Sequence, residues 1–332
     1  MGTYWYHPHR HPLVTQSAYG GAYGMLIVDE IVQEYYPLHI ANLLTQNEVL
    51  LQFSSMYNKK IDPVRYNKVN GRTDTLHLTV RKNTYYYYRV SSVVYAESIN
   101  YVEFVPPAAC EVKPMAYDGV YRSNIPHPEH LSVHMMTVSS RVDLSVRCTH
   151  NATIHFHQGH GLTAVTEMVQ ITVVDDQDLA TTTAATATTT TPSNHVVLTS
   201  PVLPSSPYWD IMEDNYDDDD DNDDTLGGGS MWKPRRPYYM PDLAAAAVRV
   251  HEVWPVSMDD YYVNGTKGVS VNQHTWDPNV PIRTFALGDL IEIPIALSTS
   301  HPYHAHINRM QIVEPGVRRI RMHQRTLYFW NY

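Results

Sequence analysis

Long apolar runs are missing from this sequence of 332 residues, and none reaches the roughly 18 residues that a membrane-spanning helix requires. No membrane span is therefore expected. The first residues, Met1 to Arg10, are polar and rich in histidine, so they do not read as a signal peptide. No basic stripe occurs, which argues against nucleic acid or an anionic membrane surface as a partner. A sustained helical period is missing too, and this points to strands. Cysteine is scarce: Cys110 and Cys148 are the only two. They read as buried thiols or as one disulfide within a single domain, the bridge being favoured in an oxidising compartment.

What is present is strand-forming. Hydrophobic residues make up 43% of the chain, enough for real cores, and 25 tyrosines lean the composition toward β-structure. The net charge of -10 comes from one place, because ten acidic residues and no basic ones lie between Asp210 and Asp224. The rest of the chain is close to neutral. Two sequons, Asn151-Ala152-Thr153 and Asn264-Gly265-Thr266, would accept glycans in a secreted protein.

The chain divides by pattern. Residues 1–33 read as a strand, a loop and a second strand, with Tyr4-Trp5-Tyr6 before and Met25-Leu26-Ile27-Val28 after a glycine-punctuated stretch. About 30 residues cannot bury a core of their own, so this piece reads as the end of a domain. From 37 to 176, short strands alternate with turn residues, as at Leu76–Val80, Tyr85–Val94, Val142–Val146 and Val169–Val174, which predicts an all-β sandwich. Residues 178–242 hold a Thr/Ala tract, the Asp run and Gly227-Gly228-Gly229-Ser230. Such a segment cannot offset its ordering entropy by apolar burial, so a disordered, solvated linker is expected. Strand character returns at Val248-Arg249-Val250 and runs on through Leu290–Ile295 and Ile307–Val313, an incomplete second sandwich over 245–332.

Histidine carries the chemistry. In His301-Pro302-Tyr303-His304-Ala305-His306, a strand would point His304 and His306 to one face, where two imidazoles can hold one metal ion or two adjacent ones. Pro302 breaks the ladder and lets His301 aim at a different ion. Neutral imidazole suits copper, zinc, iron and nickel alike. His7 and His9 repeat the spacing near the other end. With 19 histidines the pattern also arises at His9/His11 and His155/His157, so an isolated pair reads first as strand decoration. His150, His155, His157 and His160 are accordingly expected to be solvent-facing.

Context changes the weight of the first pair. Gly2-Thr3-Tyr4-Trp5-Tyr6-His7-Pro8-His9, followed by Tyr19-Gly20-Gly21-Ala22-Tyr23-Gly24-Met25-Leu26-Ile27-Val28, resembles the end of the first cupredoxin domain of the multicopper oxidases. Val69-Asn70-Gly71, Tyr88-Arg89-Val90, Ala116-Tyr117-Asp118-Gly119 and Ser140-Arg141-Val142-Asp143 follow in order, as in that family's second domain. Val263-Asn264-Gly265, Leu287-Gly288-Asp289 and the His301–His306 motif resemble its third. The resemblance implies an all-β fold of cupredoxin-like Greek-key sandwiches and copper as cofactor, up to four ions in an intact family member. It implies that His7 and His9 ligate the binuclear coppers of the trinuclear cluster. It implies the type 2 copper for His304, a type 3 copper for His306 and the blue copper for His301. The family oxidises phenols, amines or metal ions one electron at a time and reduces O₂ to water, and its members are expected to be secreted or extracytoplasmic.

Two of the family's four ligand motifs are not found here. No His-x-His precedes His7, and after His306 only His323 follows, with no cysteine. A blue site needs a thiolate beside two imidazoles. The expectation is a fragment of a multicopper oxidase that is inactive as it stands. The alternative is a non-enzymatic copper-binding or structural protein on the same framework.

Overall fold

The computed structural model describes residues 2–10, 13–28, 47–58, 62–94, 99–121, 130–158, 165–175, 195–197, 250–263, 266–275, 277, 279–295, 310–314, 319–323 and 328–329. Two compact units account for them, Met1–Arg235 and Arg236–Tyr332. Among the described residues, no helix is long and apolar enough to cross a membrane.

The first unit opens with strand β1 (Gly2–Tyr6), helix α1 (Val14–Tyr19) and strand β2 (Gly24–Val28), β1 and β2 pairing antiparallel. The helix was not expected, because six residues are too few to register a period. Gly20 and Gly21 end it, Gly21 taking the left-handed conformation (φ 89°) that suits glycine. Then follow β3 (Glu48–Asn58), β4 (Asp62–Val69), β5 (Leu76–Arg81), β6 (Tyr85–Val93), β7 (Ile99–Val105) and β8 (Cys110–Tyr117). After these come β9 (Val120–Tyr121), β10 (Val133–Thr137), β11 (Arg141–Cys148), β12 (Ala152–Gln158), β13 (Val165–Val174) and β14 (His195–Val197).

These strands form two six-stranded sheets, ordered β4-β3-β6-β11-β8-β9 and β10-β7-β12-β13-β5-β14. Sequence neighbours are often not sheet neighbours, as a Greek-key sandwich requires. The core lies between the sheets because side chains alternate: along β7, Asn100, Val102 and Phe104 are buried while Ile99, Tyr101, Glu103 and Val105 are half-buried. Phe53 of β3 stacks on Phe156 of β12 with ring centroids 5.0 Å apart, joining the two inner faces. Within 178–242, expected as linker, the described residues are those of β14, which pairs in parallel with β5.

The Asp118-Gly119 dipeptide joins β8 to β9 in a two-residue turn with φ of 51° and 78°. Both central residues are left-handed, the geometry that matches the twist of a tight hairpin. Cys110 and Cys148 stand opposite each other on β8 and β11, and their Sγ atoms form a disulfide with the Cα atoms 3.9 Å apart.

The second unit contains β15 (Glu252–Val253), β16 (Met258–Val263), β17 (Thr266–Val271), β18 (Arg283–Thr284), β19 (Leu290–Pro294), β20 (Met310–Glu314), β21 (Arg319–His323) and β22 (Tyr328–Phe329). Four of them form a sheet in the order β15-β19-β21-β20. Trp254, Val256, Val271, Phe285, Ile291 and Ile293 make its core, with Trp254 and Phe285 edge to face at 5.4 Å. Among the described residues, the first strand of this unit begins at Glu252, and Val250 lies outside it.

Two consequences are measurable. The disulfide closes a loop of 38 residues, which the chain-entropy account values at about 4 kcal/mol. Replacing both cysteines with alanine is expected to lower unfolding stability by about 2–4 kcal/mol, read as a lower urea midpoint. A midpoint equal to that of the parent chain would show that the bridge constrains nothing.

His134 on β10 faces the core beside Met136, and burial pushes its imidazole down to about 4, with nearby His130 acting in the same direction and a hydrogen bond at the Leu131 backbone opposing. A histidine depressed in the folded state stays neutral there while the unfolded chain takes up a proton. Stability from this group is therefore complete above about pH 6.5 and is lost as pH falls toward 4, up to about 3 kcal/mol. His134→Leu is expected to flatten that part of the stability profile between pH 7 and 4.5. An unchanged profile would assign the acid loss to other groups.

Candidate metal centre

β1 carries the first histidine pair, and what holds β1 is polar. The central strands β6 and β11 are buried on both faces, so residues pointing away from the core are buried as well: Arg89 and Asp143 are each 1% exposed by side chain. Thr3 of β1 is fully buried among them. Its hydroxyl donates to Asp143 Oδ1 at 2.6 Å and accepts from Arg89 Nη1 at 3.0 Å. Tyr87 Oη donates to Asp143 Oδ2 at 2.7 Å, and the Arg89 guanidinium lies 4.6 Å from the centre of the Tyr87 ring. Arg89 also pairs with Glu48 on β3, and Arg141 Nε donates to the Thr3 carbonyl at 3.1 Å. Burial pushes the Asp143 carboxyl upward, while Thr3, Arg89, Tyr87 and Arg141 pull it down.

Backbone fit completes the docking. A Cβ added at Gly2 would meet the Gly119 carbonyl at 2.6 Å, so β1 approaches the β8–β9 turn as only glycine allows. Residues from several of the framework motifs that carried the resemblance (Gly2 and Thr3, Arg89, Gly119, Arg141 and Asp143) thus meet where β1 docks.

The strand ends at Tyr6, and His7 and His9 project just beyond it, not within it. Pro8 between them has no N–H to continue a ladder. Their ring centroids are 5.5 Å apart, and His7 stacks on Trp5 at 4.3 Å with the planes 20° apart. His7 Nδ1 lies 3.0 Å from the Pro8 carbonyl oxygen. A carbonyl only accepts, so Nδ1 bears the proton and Nε2 keeps its lone pair, the arrangement a metal-ligating imidazole needs. His7 is half-buried and His9 exposed, so an ion has access. Two neighbouring neutral imidazoles fit copper as donors. His301, His304 and His306 lie outside the described residues.

The other histidines differ from expectation in one respect. His150 is exposed, but His157 is only 2% exposed by side chain and its Nε2 donates to Glu103 at 2.7 Å. It is not solvent-facing. The β7–β12 register sets Glu103 directly across from His155, and this is what brings the carboxylate to the pair. The spacing of His155 and His157 on a strand announced a shared face, while Glu103, some fifty residues away, gave no sequence signal. His160 lies outside the described residues.

Asp143→Ala removes the acceptor shared by Thr3 and Tyr87 and leaves Arg89 with less compensation. A loss of about 3 kcal/mol is expected, with amide hydrogen exchange accelerating first along Gly2–Tyr6. Unchanged protection of those amides would mean that β1 is held by something else.

No protein-family model matches the sequence, and no curated protein matches it. Solved structures do. The laccase-like multi-copper oxidase CueO of Ochrobactrum sp. superposes with a TM-score of 0.61 at 11% identity, over 98% of this chain and 70% of that one. The McoA multicopper oxidase of Aquifex aeolicus gives 0.59 at 14% identity, over 98% and 70%. A multicopper oxidase of Campylobacter jejuni, described as a metallo-oxidase, gives 0.60 at 12% identity, over 98% of this chain and 66% of that chain. The described residues therefore share the cupredoxin-like, all-β fold of the multicopper oxidases.

Proposed function

We propose that the chain is part of a copper-dependent oxidoreductase of the multicopper oxidase family, with residues 1–33, 37–176 and 245–332 belonging to three successive cupredoxin domains. The observation that carries this reading is the His7–His9 pair, set side by side at the end of a strand that a buried polar cluster fastens down. The fold of the solved multicopper oxidases supports it, as does the order of the framework motifs along the sequence. His7 and His9 would hold copper, and His301, His304 and His306 further copper by the same resemblance. When bound, copper supplies one-electron transfer from a reductant to O₂. The residues of this chain contribute ligand nitrogens, the Pro8 carbonyl that sets the tautomer of His7, and the Trp5 ring that limits how His7 can turn.

The reductant class in this reading is a small phenol, an amine or a metal ion. The related structures point both ways, the Ochrobactrum enzyme being described with activity toward lignin model compounds and the Campylobacter enzyme as a metallo-oxidase. An extracytoplasmic location agrees with the disulfide, which an oxidising compartment maintains.

A second reading, a copper-binding protein of this fold without oxidase chemistry, has a specific observation in its favour. Cys110 and Cys148 are bonded to each other, so neither offers the thiolate of a blue copper. In both readings the residues of this chain hold copper on histidine alone.

Loading the chain with Cu²⁺ should give an EPR spectrum of nitrogen-ligated copper without the intense visible band of a Cu–thiolate bond. The paired change His7→Ala and His9→Ala should lower the copper retained on dialysis while leaving the melting temperature within about a degree or two, since both rings are partly exposed. Copper retention untouched by the double change would refute the assignment of this pair. A blue spectrum would refute the ligand count.

A further inference from the structure

We propose a second metal site, separate from the copper-ligand motifs, on the outer face of the β10-β7-β12-β13 sheet, where Glu103, His155 and His157 bind one divalent transition-metal ion such as Zn²⁺. The proposal does not depend on the family reading. Among the described residues, these three form a group in which one donor atom from each lies within 4.8 Å of the others.

The strand geometry makes this face. On β12, Ala152, Ile154 and Phe156 turn to the core, and Thr153, His155 and His157 turn away from it. Glu103 of β7 is the direct partner of His155. On the other side, a register shift after Ile154 sets the exposed Glu167 of β13 opposite His155 in place of Met168. Irregularities of this kind re-aim side chains locally. The result is two imidazoles with a carboxylate on either flank.

Hydrogen bonds leave one nitrogen of each ring without a proton. The Thr153 hydroxyl donates to the Val105 carbonyl at 3.4 Å, so toward His155 Nε2, 3.1 Å away, it can only accept. His155 then keeps a lone pair on Nδ1. His157 donates from Nε2 to Glu103, so its Nδ1 also keeps a lone pair, and that atom is buried with no hydrogen-bond partner. A polar atom buried without a partner costs stability. His157 is therefore held in place at some expense, and a folding role alone would be met as well by an apolar residue.

The chemistry of the set is that of a metal centre. Two neutral imidazoles and one carboxylate suit zinc and the neighbouring first-row ions, the carboxylate offsetting part of the ion's charge. Zn–N and Zn–O bonds of about 2.0–2.2 Å imply donor separations near 3.4 Å in a tetrahedral site. The observed 4.8 Å closes with small side-chain rotations of Glu103 and His155, both only half-buried. The ion takes one donor from each residue: at His157 it takes Nε2, whose proton moves to the unpartnered Nδ1 of the same ring, Glu103 changes from hydrogen-bond acceptor to ligand, and water fills the remaining position.

The test is equilibrium dialysis of the full chain against Zn²⁺, counting tightly held equivalents and titrating affinity. Glu103→Gln keeps the shape and removes the charge, and His155→Ala removes a partly exposed ligand without opening the core. Each is expected to abolish one equivalent or weaken it at least tenfold, with the melting temperature of the metal-free chain unchanged. His150→Ala, at an exposed histidine of the same stretch, should retain every equivalent. The same number of equivalents at the same affinity in all four proteins would overturn the proposal, as would a parent chain that retains no zinc. The His7–His9 pair is intact in every protein compared, so failure here leaves the copper reading untouched.

Discussion

The buried cluster of Arg89, Asp143, Tyr87 and Thr3 is the constraint on which the β1–β2 hairpin and the histidines beyond it depend. An isolated two-stranded hairpin is marginal in water, and β1–β2 leaves Tyr6, Leu26 and Val28 substantially exposed. Apolar burial therefore contributes little to holding it. Hydrogen bonds to a buried charge contribute more, since withdrawing Thr3 would leave Asp143 and Arg89 short of partners inside the fold. Such a cluster works as a set, which gives the hairpin one register and one position. His7 and His9 inherit that position because they follow the fixed strand by one and three residues.

The two histidine pairs show how environment separates equal spacings. His7 and His9 stand past the end of a strand with Pro8 between them, reachable by an ion and aligned by Trp5 and a backbone carbonyl. His155 and His157 stand within a strand, where alternation fixes their face and the neighbouring strand supplies a carboxylate. An arrangement open to solvent suits ions shared with other ligands. One sunk beside Glu103 is closer to complete in itself.

Much of the fold was legible in the sequence because period-two alternation and turn residues are local signals. The strands at Leu76–Arg81, Tyr85–Val93, Arg141–Cys148 and Val165–Val174 appear where alternation placed them. Asp118-Gly119 makes its turn because two successive left-handed residues favour that pair. Helix α1 escaped notice because six residues leave no periodic trace. The side-chain spacing of each histidine pair was equally local, and so was the scarcity of cysteine.

Sequence by itself determined that the chain is built of β-strands, that it has only two cysteines, and that histidines recur at alternate positions. Tertiary structure decided which residues meet. Cys110 reaches Cys148, Thr3 reaches Asp143, and Glu103 reaches His157, across 38, 140 and 54 positions. Those meetings depend on sheet order and register, and register is set by the packing of two whole faces against each other, not by any short stretch of chain. A one-residue slip between β7 and β12 would move Glu103 out of line with His155 while leaving every local signal in the sequence unchanged.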